Sequence, residues 1–501
     1  MLEVSTAGTD RKNQPNTVPK PQGVPCITAK SGTGIDAVKI ATRSVDTRQF
    51  RVLIYEPNPT GHHFEYLRLM LPAVRALASH VVLGTSREGA TSEEYRILLA
   101  PSLQKQPQMK TQAAVTVDMG ALTETQAFTE TGKKTGLLKQ SLFRAAQFVD
   151  CVKRVQPDHV IVPYADGLSQ ALSLRWLTLK GKVANDRLVN EASTKVVTSE
   201  ALFMRGAIAY PAASAKRRFA LRAAWMLMRR APHNHLYHLD PLMHSWIARH
   251  YPKLICHEPG DGGWCLMPDP APNFEKLSKG EARKRLGVAE DGLIVGALGT
   301  LDKRKGIDLL IRAFAAAMLP SESKLLLVGS QSHDIREMLK PGGEADGLVR
   351  SGKIISIDRF VENEELGWAI QAMDLVAASH NGHIGSASVV TKAAAASRPT
   401  LGSDTGWIDI MVNRFGLGTT CRVTDIRAFS AALEAALPAA HIWRLNEAGR
   451  RFVAFHSEQN FRACWSTFSR HRLGLPPAAE RIDWSWVEEA ARARKACDKA
   501  V

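Results

Sequence analysis

No stretch of the 501 residues stays apolar for the length a bilayer crossing takes, and the first residues carry no apolar signal core. The sequence therefore lends no support to a membrane-spanning or secreted protein. Cysteine is sparse: seven residues, at 26, 151, 256, 265, 421, 464 and 497, odd in number and nowhere spaced as Cys-x-x-Cys. That spacing speaks against a disulfide framework and against a zinc motif, and it fits reduced thiols in a cytoplasmic protein. Aromatic residues are few, at 7%, and do not interleave with the basic clusters, so nothing points to nucleic acid. Acidic residues are outnumbered, 49 against 65 Lys and Arg, for a formal charge of +16. With nucleic acid set aside, the excess points to an acidic membrane face or a phosphorylated small molecule.

What the chain does have is α/β alternation, twice over. Its length exceeds one hydrophobic core, and 45% hydrophobic with 23% charged residues is ordinary for globular protein. Residues 1–46 are rich in Thr, Gly, Pro and Lys without hydrophobic period and are expected to be a disordered leader. A first unit over 47–255 opens with the strand FRVLIYEP at 50–57 and a helix whose Phe64, Leu67, Leu71, Val74 and Leu77 recur at helical spacing. Strands at 80–86, 159–167 and 194–206 come next, with a helix at 140–155. The Gly- and Pro-dense stretch 256–276 reads as a hinge. A second unit over 277–475 places strands at 293–298, 324–328, 353–357, 374–378 and 399–402 between helices near 306–317, 333–340, 363–371 and 387–397. Residues 476–501 are expected to end the chain in a charged helix. Such alternation implies parallel sheets covered on both faces, with ligands at the carboxyl ends of the strands.

Several side chains at those ends suit an anionic ligand. The strand LIVGALG stops on Gly299, and the turn after it carries Lys303, Arg304 and Lys305 before a helix begins. Alone, such a basic turn is usually just solvated; after a strand-end glycine and before a helix it suits a diphosphate. The turn after the strand at 374–378 holds His380, Asn381, His383, Ser386 and Ser388 around Gly382 and Gly385, and leads into a helix N-terminus. Serines there are equally common as plain caps. In the first unit, Gly61, His62 and His63 come after the first strand, where glycine serves either a tight turn or close backbone approach. Tyr164, Asp166 and Gly167 come after a later strand, with Glu200 as a second candidate carboxylate and Arg205 as a candidate phosphate clamp. The stretch 215–235 can form a basic amphipathic helix, either a solvated core-facing helix or a contact for an anionic membrane.

Taken together, the chain resembles a glycosyltransferase of the GT-B fold in the broad retaining group called family 4, best over about 280–425. The resemblance implies two Rossmann-like doubly wound domains facing each other across a cleft, an N-terminal acceptor domain and a C-terminal nucleotide-sugar-binding domain. Lys305 falls on the family's diphosphate lysine, while Thr300 stands where the family has an arginine. The family's Glu-x7-Glu motif falls on Ile384 and Lys392, so both carboxylates are replaced, the later of which normally accepts from the nucleotide ribose. The run GSDTGWIDIM at 402–411 matches a family turn bordering the donor, with Trp407 at a glycine position. The activity implied by the resemblance is sugar transfer from a nucleoside-diphosphate donor to an acceptor hydroxyl, with retention and without a metal or cofactor. Asp166 and His383 are the expected catalytic residues; Gly61, His62, Gly299, Lys303, Arg304, Lys305, Gly385, Ser386, Ser388 and Lys392 are expected around the donor. A glycan or lipid-linked acceptor in polysaccharide biosynthesis, and a cytoplasmic place peripheral to the inner membrane face, complete the expectation. The altered motif leaves open a second reading, a catalytically inactive protein that binds a nucleotide or glycan on the same fold.

Overall fold

The computed structural model describes residues 50–58, 62–99, 114–118, 137–178, 188–189, 196–204, 206–210, 214–229, 233–256, 263–473 and 475. The expected leader and the expected terminal helix at 476–501 lie outside these residues. Within them stand two sheets. The first holds β1 (Arg51–Glu56), β2 (His80–Thr85), β3 (Ala114–Asp118), β4 (His159–Val162), β5 (Leu188–Val189), β6 (Val196–Phe203), β7 (His235–His238) and β8 (Gly263–Leu266). Its order is β3-β2-β1-β4-β6-β7-β8, all parallel, with β5 antiparallel on β6. The second holds β9 (Ile294–Leu298), β10 (Lys324–Val328), β11 (Ile354–Ile357), β12 (Leu375–Ala378), β13 (Thr400–Ser403) and β14 (Gly418–Cys421), in the order β11-β10-β9-β12-β13-β14.

Both orders reverse direction beside the first strand of their sheet: between β1 and β4, and between β9 and β12. At such a reversal the loops leaving the two neighbouring strands part to opposite faces and open a crevice. The crevices are thus bounded by the loops after β1 and β4 in one domain, and after β9 and β12 in the other. These four loops carry most of the residues singled out by sequence.

Strand burial explains the apolar runs. Every residue of β9 is buried, with Ile307, Leu310 and Phe314 on one face and Ile370, Val390 and Trp407 in the core on the other. The base of that sheet is pinned by charge. Asp374, just before β12, accepts from Arg283 Nη2 at 2.7 Å, Lys279 Nζ at 2.7 Å and the Ile294 amide at 2.8 Å. Arg283 is itself buried and also donates to the carbonyls of Ala372 and Gly292. Asp374→Ala would leave that guanidinium buried and unpaired, an expected loss of about 3–5 kcal/mol in urea unfolding.

Three boundaries differ from the sequence expectation. The expected hinge 256–276 contributes β8, which pairs with β7 in the first sheet, so the crossing starts only after Leu266. The basic helix spans Ala215–Met228, and His235 already belongs to β7. Helix Glu458–Arg472, which falls in the expected second unit, packs back onto helix His62–Arg75 of the first, with Arg68 3.5 Å from Glu458 and the Tyr66 and Phe461 rings 5.1 Å apart. The chain therefore crosses between domains twice, and the crossings touch: Ala271 N donates to His456 O at 2.8 Å.

Candidate functional site

After β9 the backbone turns at Gly299 with φ +88°, a conformation that favours glycine. Asp302 Oδ1 accepts the Lys305 amide at 2.9 Å, the Asn381 amide donates to Arg304 O at 3.0 Å, and Ser379 Oγ donates to Lys305 O at 2.9 Å. Held on both sides, Lys305 folds its ammonium back to the strand end, donating to Leu298 O at 3.1 Å. A Cβ on Gly299 would stand 2.9 Å from that nitrogen, so the bare α-carbon is what admits it. Lys305 forms no ion pair among the described residues. Burial first, then Arg304 and Lys392, pull its pKa down to about 8, partly opposed by Asp302. The other two cations of the turn diverge from it: Lys303 is exposed and pairs with Asp334 at 3.2 Å, and Arg304 is exposed, 3.5 Å from Asp302.

The loop after β12 lies against this turn. His380 is buried and its Nδ1 meets no hydrogen-bond partner among the described residues. Burial, then Lys305 and His383, hold its pKa well below the usual imidazole value, so it is neutral. His383 stands with its ring 5.2 Å from that of His380; its Nε2–H donates to Ser386 O at 2.9 Å. Helix Ser388–Ala395 then begins after Ala387 with no side-chain cap, so its first amides and the positive end of its dipole face the loop. The turn at Thr405–Gly406 closes the far side, with Trp407 N donating to Ile384 O at 3.2 Å. The Trp407 side chain itself lies in the core.

Two groups of contacts tie this pocket to the first domain. Lys392 Nζ, where the family resemblance expects a carboxylate, lies 3.3 Å from Glu65 Oε2 of helix His62–Arg75. Glu65 Oε1 is buried without a partner among the described residues. Ser386 Oγ donates to Asp269 Oδ2 at 2.6 Å, and Tyr66 Oη donates to Asp269 Oδ1 at 2.7 Å. Burial raises the Asp269 pKa, against those two hydrogen bonds and the charge of Lys392. Gly385 approaches the first domain so closely that a Cβ there would lie 3.5 Å from Met204 O. Asp166 accepts the Met204 amide at 2.8 Å, which places that carboxylate beside the same approach.

At the first domain's crevice, buried Glu56 accepts from the amide and side chain of Asn58 at 2.9 and 3.0 Å and meets His63 Nδ1 at 3.1 Å. The His63 ring packs edge-on against Tyr164, centroids 4.7 Å apart. Gly61 and Arg205 lie outside the described residues, and His62 is placed only as the first residue of its helix. Glu200 is a correction: it is fully buried in the sheet, bonded to His159 Nε2 at 3.0 Å and Tyr237 Oη at 2.9 Å, and does not reach the cleft. A middle position on a strand sends side chains into the core, whereas only the last residues reach the crevice.

Sequence reading thus found Lys305, His383, Ser386, Ser388 and Lys392 at one end of the second sheet. It missed Glu65, Asp269 and Glu56 as parts of the arrangement. Glu65 had a signal: it is the sole carboxylate in the helix HHFEYLRLMLPAVR, amid apolar residues.

Two doubly wound domains whose crevices meet in this way define the GT-B fold. The apo structure of OtsA aligns over 85% of this chain and 99% of that one, at 12% identity and a TM-score of 0.51. The N-terminal domain of trehalose-6-phosphate phosphatase from Candida albicans aligns over 85% and 96%, at 11% identity and a TM-score of 0.50. At that identity the likeness is one of fold. In the second domain, residues 292–438 match the model of the glycosyl transferases group 1. A D-inositol 3-phosphate glycosyltransferase from Actinosynnema mirum is 32% identical over 148 residues, 28% of this chain and 34% of that protein. The match thus spans about a third of that relative's length.

Proposed function

We propose that the chain transfers a sugar from a nucleoside-diphosphate donor to an acceptor hydroxyl. One observation carries the reading: the Lys305 ammonium, half-buried at the mouth of the second sheet, makes one carbonyl hydrogen bond and, among the described residues, no ion pair. A half-buried cation with donors to spare is completed by an anion. As the glycosidic bond breaks, negative charge grows on the leaving diphosphate. Lys305, Lys392 and the amides at the start of helix Ser388–Ala395 lie where they would meet that charge, and such fixed groups lower the barrier without reorganising. Neutral His380, whose Nδ1 meets no partner among the described residues, can hydrogen-bond the sugar, while His383 and Asp166 flank the gap between domains. These protein cations take the part a metal plays elsewhere, and retention of configuration is the stereochemistry the family resemblance implies.

The test is donor cleavage. With chelator present, one of a panel of UDP-, GDP- and ADP-sugars should release its nucleoside diphosphate, and NMR of the product sugar should show the retained anomer. A specific observation favours the second reading, binding without turnover: Lys392, at a position where the family resemblance implies a carboxylate, is paired with Glu65. A donor that binds and raises the melting temperature, yet never releases diphosphate, would establish it.

The acceptor side of the proposal rests on helix Ala215–Met228. Lys216, Arg217, Arg218 and Arg222 are exposed there, the described helix has no acidic residue, and Phe219 is 76% exposed. Cations beside a bare aromatic suit an acidic lipid surface, where each contributes about 1 kcal/mol. No described helix is long and apolar enough to cross a membrane. Vesicles containing acidic lipid should pellet the protein, and the triple variant Arg217→Glu, Arg218→Glu, Arg222→Glu should remain in the supernatant. Equal pelleting of the two would remove the lipid-linked acceptor from the proposal.

A further inference from the structure

We infer that His235, Cys256 and Cys265 form a binding site for one thiophilic divalent cation, zinc by preference, at the β7–β8 edge of the first sheet. One ligand atom from each lies within 4.8 Å of the other two. Zinc bound at about 2.3 Å to sulfur and about 2.0–2.1 Å to nitrogen in a tetrahedron draws its ligands to roughly 3.5–4 Å, so a contraction of about 1 Å completes the set.

The strand register builds this group. His235 pairs with Gly263 and Tyr237 with Cys265, which puts His235 and Cys265 on one face of the sheet. The residue opposite His235 has no side chain, and a Cβ on Gly263 would run into Leu254 O at 2.7 Å and Cys256 N at 3.2 Å. That bare position admits Cys256, whose amide is fixed on Trp264 O at 3.1 Å. The imidazole is held as a ligand needs to be, stacked on Phe468 with centroids 4.9 Å apart and edge-packed on Tyr237 at 4.5 Å. His235 and Gly263 open their strands, so the group stands at the opposite end of the sheet from the crevice, and the role is structural.

The charges balance. Two thiols release their protons to solvent, two zinc–sulfur bonds and one zinc–nitrogen bond form, and a dication with two thiolates leaves the half-buried site neutral. Water takes the fourth position. Sequence spacing conceals all this, because 235, 256 and 265 match no zinc motif.

The full chain, purified with zinc in a non-chelating reductant, should retain one zinc per chain, and the double variant Cys256→Ser, Cys265→Ser should retain none. Cobalt titrated into reduced, metal-free protein should give a thiolate-to-cobalt charge-transfer band, weakened in His235→Gln and absent in Cys265→Ser. Near-ultraviolet circular dichroism confirms which variants are folded. Folded, reduced wild-type protein that shows neither bound zinc nor a cobalt band overturns the site. So does a chain lighter by two hydrogens with residues 256 and 265 cross-linked even in reductant, which would make the cysteines a structural disulfide. Donor cleavage should be the same with and without the metal, so this result and that of the proposed function are read separately.

Discussion

Replacing Lys305 with alanine is expected to slow sugar transfer by about 10²–10³-fold and to weaken nucleoside-diphosphate binding in titration calorimetry. The side chain is short of partners by construction, since Gly299 makes room for it and Leu298 O takes only one of its protons. Its depressed pKa sets a second expectation. The ammonium is what binds, so affinity should be flat below about pH 8 and should fall as pH rises through that value. Lys305→Arg should abolish the alkaline fall, because a guanidinium does not titrate there, even where fit is impaired. An unchanged binding isotherm for Lys305→Ala would remove the residue from the donor site and the central observation from the proposal.

Lys392→Met should cost about 3–5 kcal/mol of stability, and Glu65→Gln a comparable amount, each by leaving a buried charge without its partner. Combining the two should restore much of the loss, since a pair removed together leaves no orphan. The pair crosses the domain interface, so the single variants should also loosen the cleft, seen as faster proteolysis between Leu266 and Phe274. Additive losses in the double-variant cycle would mean that the 3.3 Å contact carries no coupling. Lys392 also feels Lys305, so Lys392→Met should raise the Lys305 pKa and move the alkaline fall in affinity to higher pH.

Local pattern carried the sequence reading a long way. Buried parallel strands such as LIVGAL and KLLLV are continuous apolar runs, and the order of strands and helices dictated two doubly wound units. Strand-end glycine with a basic turn after it was enough to single out the loop, and the family resemblance picked Lys305 within it. What remained hidden was whatever depends on distant pairing. Lys392 looked like the loss of a carboxylate; its partner Glu65 lies 327 residues earlier and meets it only through the docking of two domains. Asp269, in a Pro-rich connection, gave no hint of joining Tyr66 to Ser386. The strand HLYH is short and polar at both ends, and GWCL sat inside a stretch whose glycines and prolines read as hinge. Lys303 and Arg304 shared the composition of Lys305 but not its direction, which is fixed by Asp302 and Ser379.

The return of helix Glu458–Arg472 to the first domain bears on how the protein is made. Phe461, Cys464 and Trp465 belong to the same apolar cluster as Phe50, Leu67 and Leu83, near the start of the described chain. A ribosome delivers those three side chains only after the whole second sheet has emerged. The domain begun first is therefore the one finished last, and until then its open face needs a chaperone or patience.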